Sequence, residues 1–207
     1  MDSLMQAPAT MALLAANILL SFAAFQNADL MDRLMFDVNR IRRHGEWYRW
    51  ITSAFIHGGP LHLGVNMLGL WSLGPVFEVS FGSPAFLGLY FGPLIAASAW
   101  TYMEHFRDPN YRAVGASGAI SGLATAFAIF SPLSEFLFLF VFPMPAFVFA
   151  ICFIAISAWA ASSDTRDGIG HSAHLGGALA GVAIVCIWWP RAPQRMIDQI
   201  MASLQGF

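Results

Sequence analysis

The groups in this chain with most chemistry to offer are one serine set between glycines and a few imidazoles in other apolar runs. Ser117 lies in Gly115-Ala116-Ser117-Gly118-Ala119, where no bulky neighbour shields its hydroxyl. Glycine, lacking a Cβ, lets the backbone there approach another group closely. The apolar run that follows predicts a helix over 115–131. Ser117 then sits in its first turn, where backbone N–H groups lack intrahelical acceptors and the macrodipole favours negative charge, a good place to hold an oxyanion. Taken alone, Gly-x-Ser-Gly reads first as close helix packing in a membrane.

The other polar residues within apolar runs are not scattered. His62 and Asn66 fall near the start of one run, and His171 and His174 near the start of another. Together with Ser117 they have the parts of an acyl-transfer site. A serine hydroxyl is a poor nucleophile until a base takes its proton. An imidazole, with an ordinary pKa of about 6.5 that desolvation lowers, suits that task. The tetrahedral intermediate needs donors aimed at its oxygen, each worth about 3 kcal/mol. The Ser117 N–H, the His62 imidazole and the Asn66 amide are candidates, and His62 and Asn66, four apart, share a helix face. Asp164 and Asp167 lie in a loop and Glu78 at the far end of its own run, so none is placed to orient the base. The set reads as a Ser–His dyad. No His-Glu-x-x-His occurs and no carboxylate lies at that depth, so no metal or other cofactor is expected.

These side chains need helices to carry them. Of 207 residues, 57% are hydrophobic and 11% charged, with a mean hydropathy of +0.62. Soluble domains carry about 25% charged residues, so the composition is that of an integral membrane protein in contact with the lipid bilayer. A net charge of −2 offers no basic surface to nucleic acid. Spans of about 20 apolar residues are expected over 10–28, 60–77, 85–102, 115–131, 135–160 and 169–189, forming one domain over 1–207 with no repeat. Pro143 and Pro145 are expected to kink the fifth span. The tail, 190–207, has the helical period of a segment lying on a membrane. The first loop, 29–57, is the most charged part of the chain and is expected to be structured, with Trp47, Tyr48 and Trp50 at headgroup level and Met31 and Met35 as anchors. Alternate spans run in the same direction, so the starts of the second, fourth and sixth share one face. At about 1.5 Å per residue Ser117 and His174 each fall within about 10 Å of it.

The remaining polar residues are expected to be structural. His57 is read as bonding the loop into the second helix, Arg49 and Glu78 as fold-holding partners, and His44 and His105 as solvated. Cys152 and Cys186 lack Cys-x-x-Cys spacing and are expected to be buried thiols. The segment 1–8 has no basic residue ahead of the first run, unlike a cleaved signal.

With these residues in view, the chain resembles the rhomboid family of intramembrane serine proteases over about 47–181. The matching pieces are Trp47-Tyr48-Arg49, His57, His62-x-x-x-Asn66, Glu78, Gly115-Ala-Ser117-Gly118 and Ala173-His174-x-x-Gly177-x-x-x-Gly181. The resemblance implies an all-α, six-transmembrane-helix bundle with a structured first loop. Ser117 would be the nucleophile and His174 the general base, with His62, Asn66 and the Ser117 N–H as oxyanion hole. It implies transmembrane protein substrates cut near one membrane face, the fifth span as lateral gate and the loop over 161–168 as a cap. It also implies a bacterial cytoplasmic membrane, with the site facing away from the cytoplasm. Two features depart from the family. Ser121 stands where some members carry an aromatic that stacks on the catalytic imidazole, leaving the base less firmly held or held by another ring. In the family orientation eight of the ten arginines lie outside, against the positive-inside rule; internal pairing in the first loop is expected to account for this.

The rival reading is a catalytically inactive family member that binds membrane helices as a chaperone or quality-control factor. Such a protein would normally lack the serine or the base. A transporter would show internal repeats.

Overall fold

The structure is a computed structural model and describes residues 6–138, 142–162 and 170–205. Its long helices lie over the expected runs: α1 (Pro8–Gln26), α5 (Pro60–Phe81), α6 (Ser83–Glu104), α7 (Ser117–Phe130), α8 (Ala146–Ser162) and α9 (His171–Trp188), with α10 (Ala192–Gln205) in the tail. Proline opens α1, α5 and α6, where its missing N–H removes no helical hydrogen bond. Helices α1 and α9 are long and apolar enough by themselves to cross a membrane, and α7 and α8 are shorter apolar helices.

The fifth run differs from expectation. A helix does not begin at Glu135; strand β3 (Glu135–Phe138) pairs antiparallel with β4 (Phe142–Pro145), Phe136 opposite Met144. Pro143 and Pro145 therefore kink no helix. They alternate along a strand of a two-stranded sheet, where a residue without an N–H is tolerated at an edge. Helix α8 starts only after Pro145 and turns a single stripe inward, with Ala146, Phe149, Ser157 and Ala160 buried.

Helix α9 packs chiefly against α7 and α6. Its contact with α7 is backbone on backbone. A Cβ at Gly177 would fall inside the Gly118 carbonyl, and one at Gly181 inside the Gly122 carbonyl. This is the close approach that small-residue spacing permits. The Thr125 hydroxyl adds a tie across the seam to the Ala178 carbonyl at 2.9 Å.

The first loop is built as α2 (Ala28–Leu34), β1 (Phe36–Asp37), α3 (Val38–His44) and α4 (Arg49–Thr52). Arg49, 1% exposed, is its centre. Its Nε donates to Glu46 at 2.6 Å, and one terminal nitrogen donates to the Asp32 and Met35 carbonyls at 2.6 and 2.7 Å. Arg40 pairs with Asp32 at 3.2 Å and Arg112 with Asp37 at 3.0 Å. These three arginines are answered by acids of the first loop, whereas Arg42 donates to the Phe106 carbonyl at 3.0 Å.

Glu78 is a second buried anchor. Its carboxylate accepts from the Ala9 and Thr10 N–H groups at 2.8 and 2.7 Å and from the Thr10 and Ser83 hydroxyls at 2.7 Å each. It thereby caps the orphan donors that open α1 and joins that helix to the α5–α6 turn.

Two lesser expectations need correction. Cys152 and Cys186 are exposed, on helix faces turned away from the bundle. His105 is half-buried and stacks on Tyr111 with centroids 3.6 Å apart, whereas His44 is exposed as expected. Asp164, Arg166, Asp167 and most of the 161–168 cap fall outside the described residues.

Candidate active site

The segment leading to Ser117 is held at three points. Strand β2 (Arg112–Ala113) pairs with β1, Asp37 opposite Arg112. The Gly115 N–H donates to the Ser53 carbonyl at 2.9 Å, and the Ala116 N–H donates to His57 Nε2 at 3.4 Å. Gly115 itself has φ +117°, a conformation that side chains disfavour. Helix α7 then begins at Ser117, so the N–H groups of its first turn have no carbonyl a turn behind them.

His57 does not serve the loop into α5, as expected from its position beside Gly58. It is fully buried and bridges α1 to the serine loop. Because Nε2 accepts from Ala116, the ring proton is on Nδ1 and donates to Ser21 Oγ at 2.9 Å, whose hydroxyl donates onward to the Phe55 carbonyl at 3.3 Å. Burial, aided by the neighbouring His62 ring, pushes its pKa down to about 3, so the relay runs through a neutral imidazole. This role was missed in the sequence because both partners are distant along the chain. The one local signal was a histidine immediately before a Gly-Gly pair.

His62 reaches the same loop from α5. Its Nδ1 accepts from the Gly58 N–H at 3.4 Å, which leaves the ring proton on Nε2. That edge faces Gly115: a Cβ there would lie 2.7 Å from Nε2 and from Cε1. The donor edge of His62 is thus directed at the backbone two residues before Ser117. Asn66, one turn on and 4% exposed, donates one of its two amide hydrogens to the His62 carbonyl at 2.8 Å. The second hydrogen remains for another acceptor.

His174 lies in the first turn of α9. The residue after Ser117 meets the residue before His174, since a Cβ at Gly118 would lie 3.5 Å from the Ala173 carbonyl oxygen. The starts of α5, α7 and α9 therefore converge. Among the described residues the Ser117 hydroxyl and the His174 ring share no hydrogen bond. Catalytic contacts are often long without substrate and tighten when it binds. His171 sits one turn before His174, with ring centroids 6.1 Å apart. Position 121 carries no ring; its hydroxyl donates to the Ser117 carbonyl at 2.7 Å. A ring does face His174, from α8: Phe153, with centroids 5.8 Å apart and planes at 30°.

Comparisons with known proteins agree with this architecture. The Rhomboid domain matches residues 44–191. The chain is 39% identical over 140 residues to the mitochondrial Rhomboid protein 1 of Saccharomyces cerevisiae, covering 64% of this chain and 39% of that protein. It is 32% identical over 155 residues to Rhomboid protease GluP of Bacillus subtilis, covering 74% of this chain and 29% of the other. To Rhomboid protease AarA of Providencia stuartii it is 27% identical over 225 residues, covering 94% and 79%. The chain thus spans well under half the length of the first two. With the domain match covering most of the chain, and the serine loop, serine helix and glycine seam all inside it, the chain belongs to the rhomboid family.

Proposed function

We propose that this protein is an intramembrane serine endopeptidase that cleaves transmembrane helices near one membrane face. The observation that carries the reading is the seam at Gly118, Ala173 and Gly177, which sets the helix starts bearing Ser117 and His174 against each other. The proposed bundle has six spans, α1 and α5 to α9, with α10 on the membrane surface.

In the proposed reaction Ser117 Oγ attacks the scissile carbonyl while His174 takes its proton. The carbonyl oxygen, now an oxyanion, is met by the Ser117 N–H, the His62 Nε2–H and the free amide hydrogen of Asn66. Collapse breaks the C–N bond, with the His174 proton passing to the leaving amine. Water then attacks the acyl-enzyme by the same route, with His174 again as base. Glycine or alanine near the scissile bond favours cleavage, because a stable substrate helix hides its carbonyls.

The test is covalent labelling of the purified chain with a fluorophosphonate, which needs no known substrate. Wild type should be labelled at Ser117, while Ser117→Ala and His174→Ala should not. Cleavage of a reporter transmembrane substrate should vanish in Ser117→Ala with the melting point retained. Full activity in that variant sinks the assignment, and an unlabelled wild type that still binds the reporter supports a helix-binding chaperone instead.

A further inference from the structure

Helix α8 carries an aromatic ladder that ends on the proposed base. The ring of Phe136 on β3 stacks on Phe149 with centroids 4.1 Å apart and planes at 26°. Phe149 stacks on Phe153 at 5.5 Å and 18°, one helical turn along the same inward stripe. Phe153 then meets the His174 imidazole at 5.8 Å and 30°, within the range of offset aromatic pairs. On α7, position 121 carries no ring but a small hydroxyl engaged with its own helix. The phenyl ring beside this imidazole therefore comes from a different helix from the one that bears the serine, and the His171 ring approaches it from its own helix at 6.1 Å.

Resting on the proteolytic reading above, we infer that Phe153 is a positioning residue for His174. It holds the imidazole plane while the base takes and returns its proton, and it makes that orientation depend on where α8 lies. The inward stripe of α8 is narrow and its outward face is apolar throughout, with Ile151, Ile156 and Trp159 exposed. A shift of α8 away from α9 withdraws Phe153 from the imidazole, and its return restores the contact. Admission of a substrate beside α8 and readiness of the base are in this way coupled through one ring.

The experiment uses the full chain in detergent or lipid nanodiscs. It compares the fluorophosphonate labelling rate at Ser117, and kcat and KM on a reporter substrate, for wild type, Phe153→Leu, Phe153→Met and Phe153→Tyr. Leu and Met fill the space without a ring, and Tyr keeps the ring. The expected result is labelling and kcat reduced about tenfold in both ringless variants, with KM and melting point near wild type, and rates close to wild type for Phe153→Tyr. A purely structural role would lower the melting point and leave kcat unchanged. Wild-type labelling rates in the ringless variants overturn the inference, as does an equal loss in all three. If wild type itself is never labelled, it is the proteolytic reading that fails.

Discussion

The Ala116 N–H donates to His57 Nε2, and through that one bond a fully buried imidazole holds the residue immediately before Ser117. The rest of the relay, through Ser21 to the Phe55 carbonyl, anchors the serine loop to α1.

Because the folded-state pKa of His57 is about 3 against an ordinary 6.5, the unfolded chain takes up a proton between those values that the folded chain refuses. Stability should therefore rise with pH across that window and fall on acidification through it. Melting temperatures of wild type at pH 7 and pH 5 should differ by more than those of His57→Gln, which has nothing to titrate at that site. Equal pH slopes in the two proteins would contradict the buried neutral relay.

The seam between α7 and α9 makes Gly177→Ala costly. The added methyl meets the Gly118 carbonyl, which is backbone and cannot swing aside. Chemical denaturation should show a loss of about 3 kcal/mol, at the upper end for overpacking. Gly59→Ala is the control, since nothing lies within 4 Å of a Cβ there, and it should leave stability almost unchanged.

Asn66→Ala removes a proposed oxyanion donor while the serine and base remain. Its kcat should fall about a hundredfold, roughly 3 kcal/mol, with little change in KM, because the lost interaction is made only in the transition state. A variant whose KM rises at constant kcat would place Asn66 in substrate binding instead.

Glu78→Gln tests the clasp on α1. An amide offers one acceptor oxygen where the carboxylate's two serve four donors, so one of the two backbone N–H groups, Ala9 or Thr10, loses its acceptor. Stability should drop by about 2 kcal/mol, while kcat of the variant that remains folded stays near wild type, since Glu78 lies at the far end of α5 from His62.

Much of this architecture was legible because apolar runs of spanning length declare themselves, and because polar residues at the starts of alternate runs must share a face. Ser117, His62, Asn66 and His174 were chosen on that ground, and the structure sets the starts of their helices together. The 135–145 stretch was misread because a continuous apolar run looks alike as helix or strand. The alternation of Phe142, Pro143, Met144 and Pro145 was the signal against a helix. Burial of Cys152 and Cys186 was misjudged for a different reason: where the surroundings are lipid, outward and inward faces are both apolar, so hydrophobicity no longer marks the interior. The partners of His57 and the approach of Phe153 to His174 depend on contacts between distant segments, which residue spacing does not encode.

The glycine seam has a mechanical corollary. Two backbones in direct contact, with only the Thr125 hydroxyl reaching across, leave little slack to slide or part, so the helices carrying Ser117 and His174 are expected to move as one body. On the proteolytic reading proposed above, any widening for a substrate helix would then fall to a neighbour such as α8 and not to this seam.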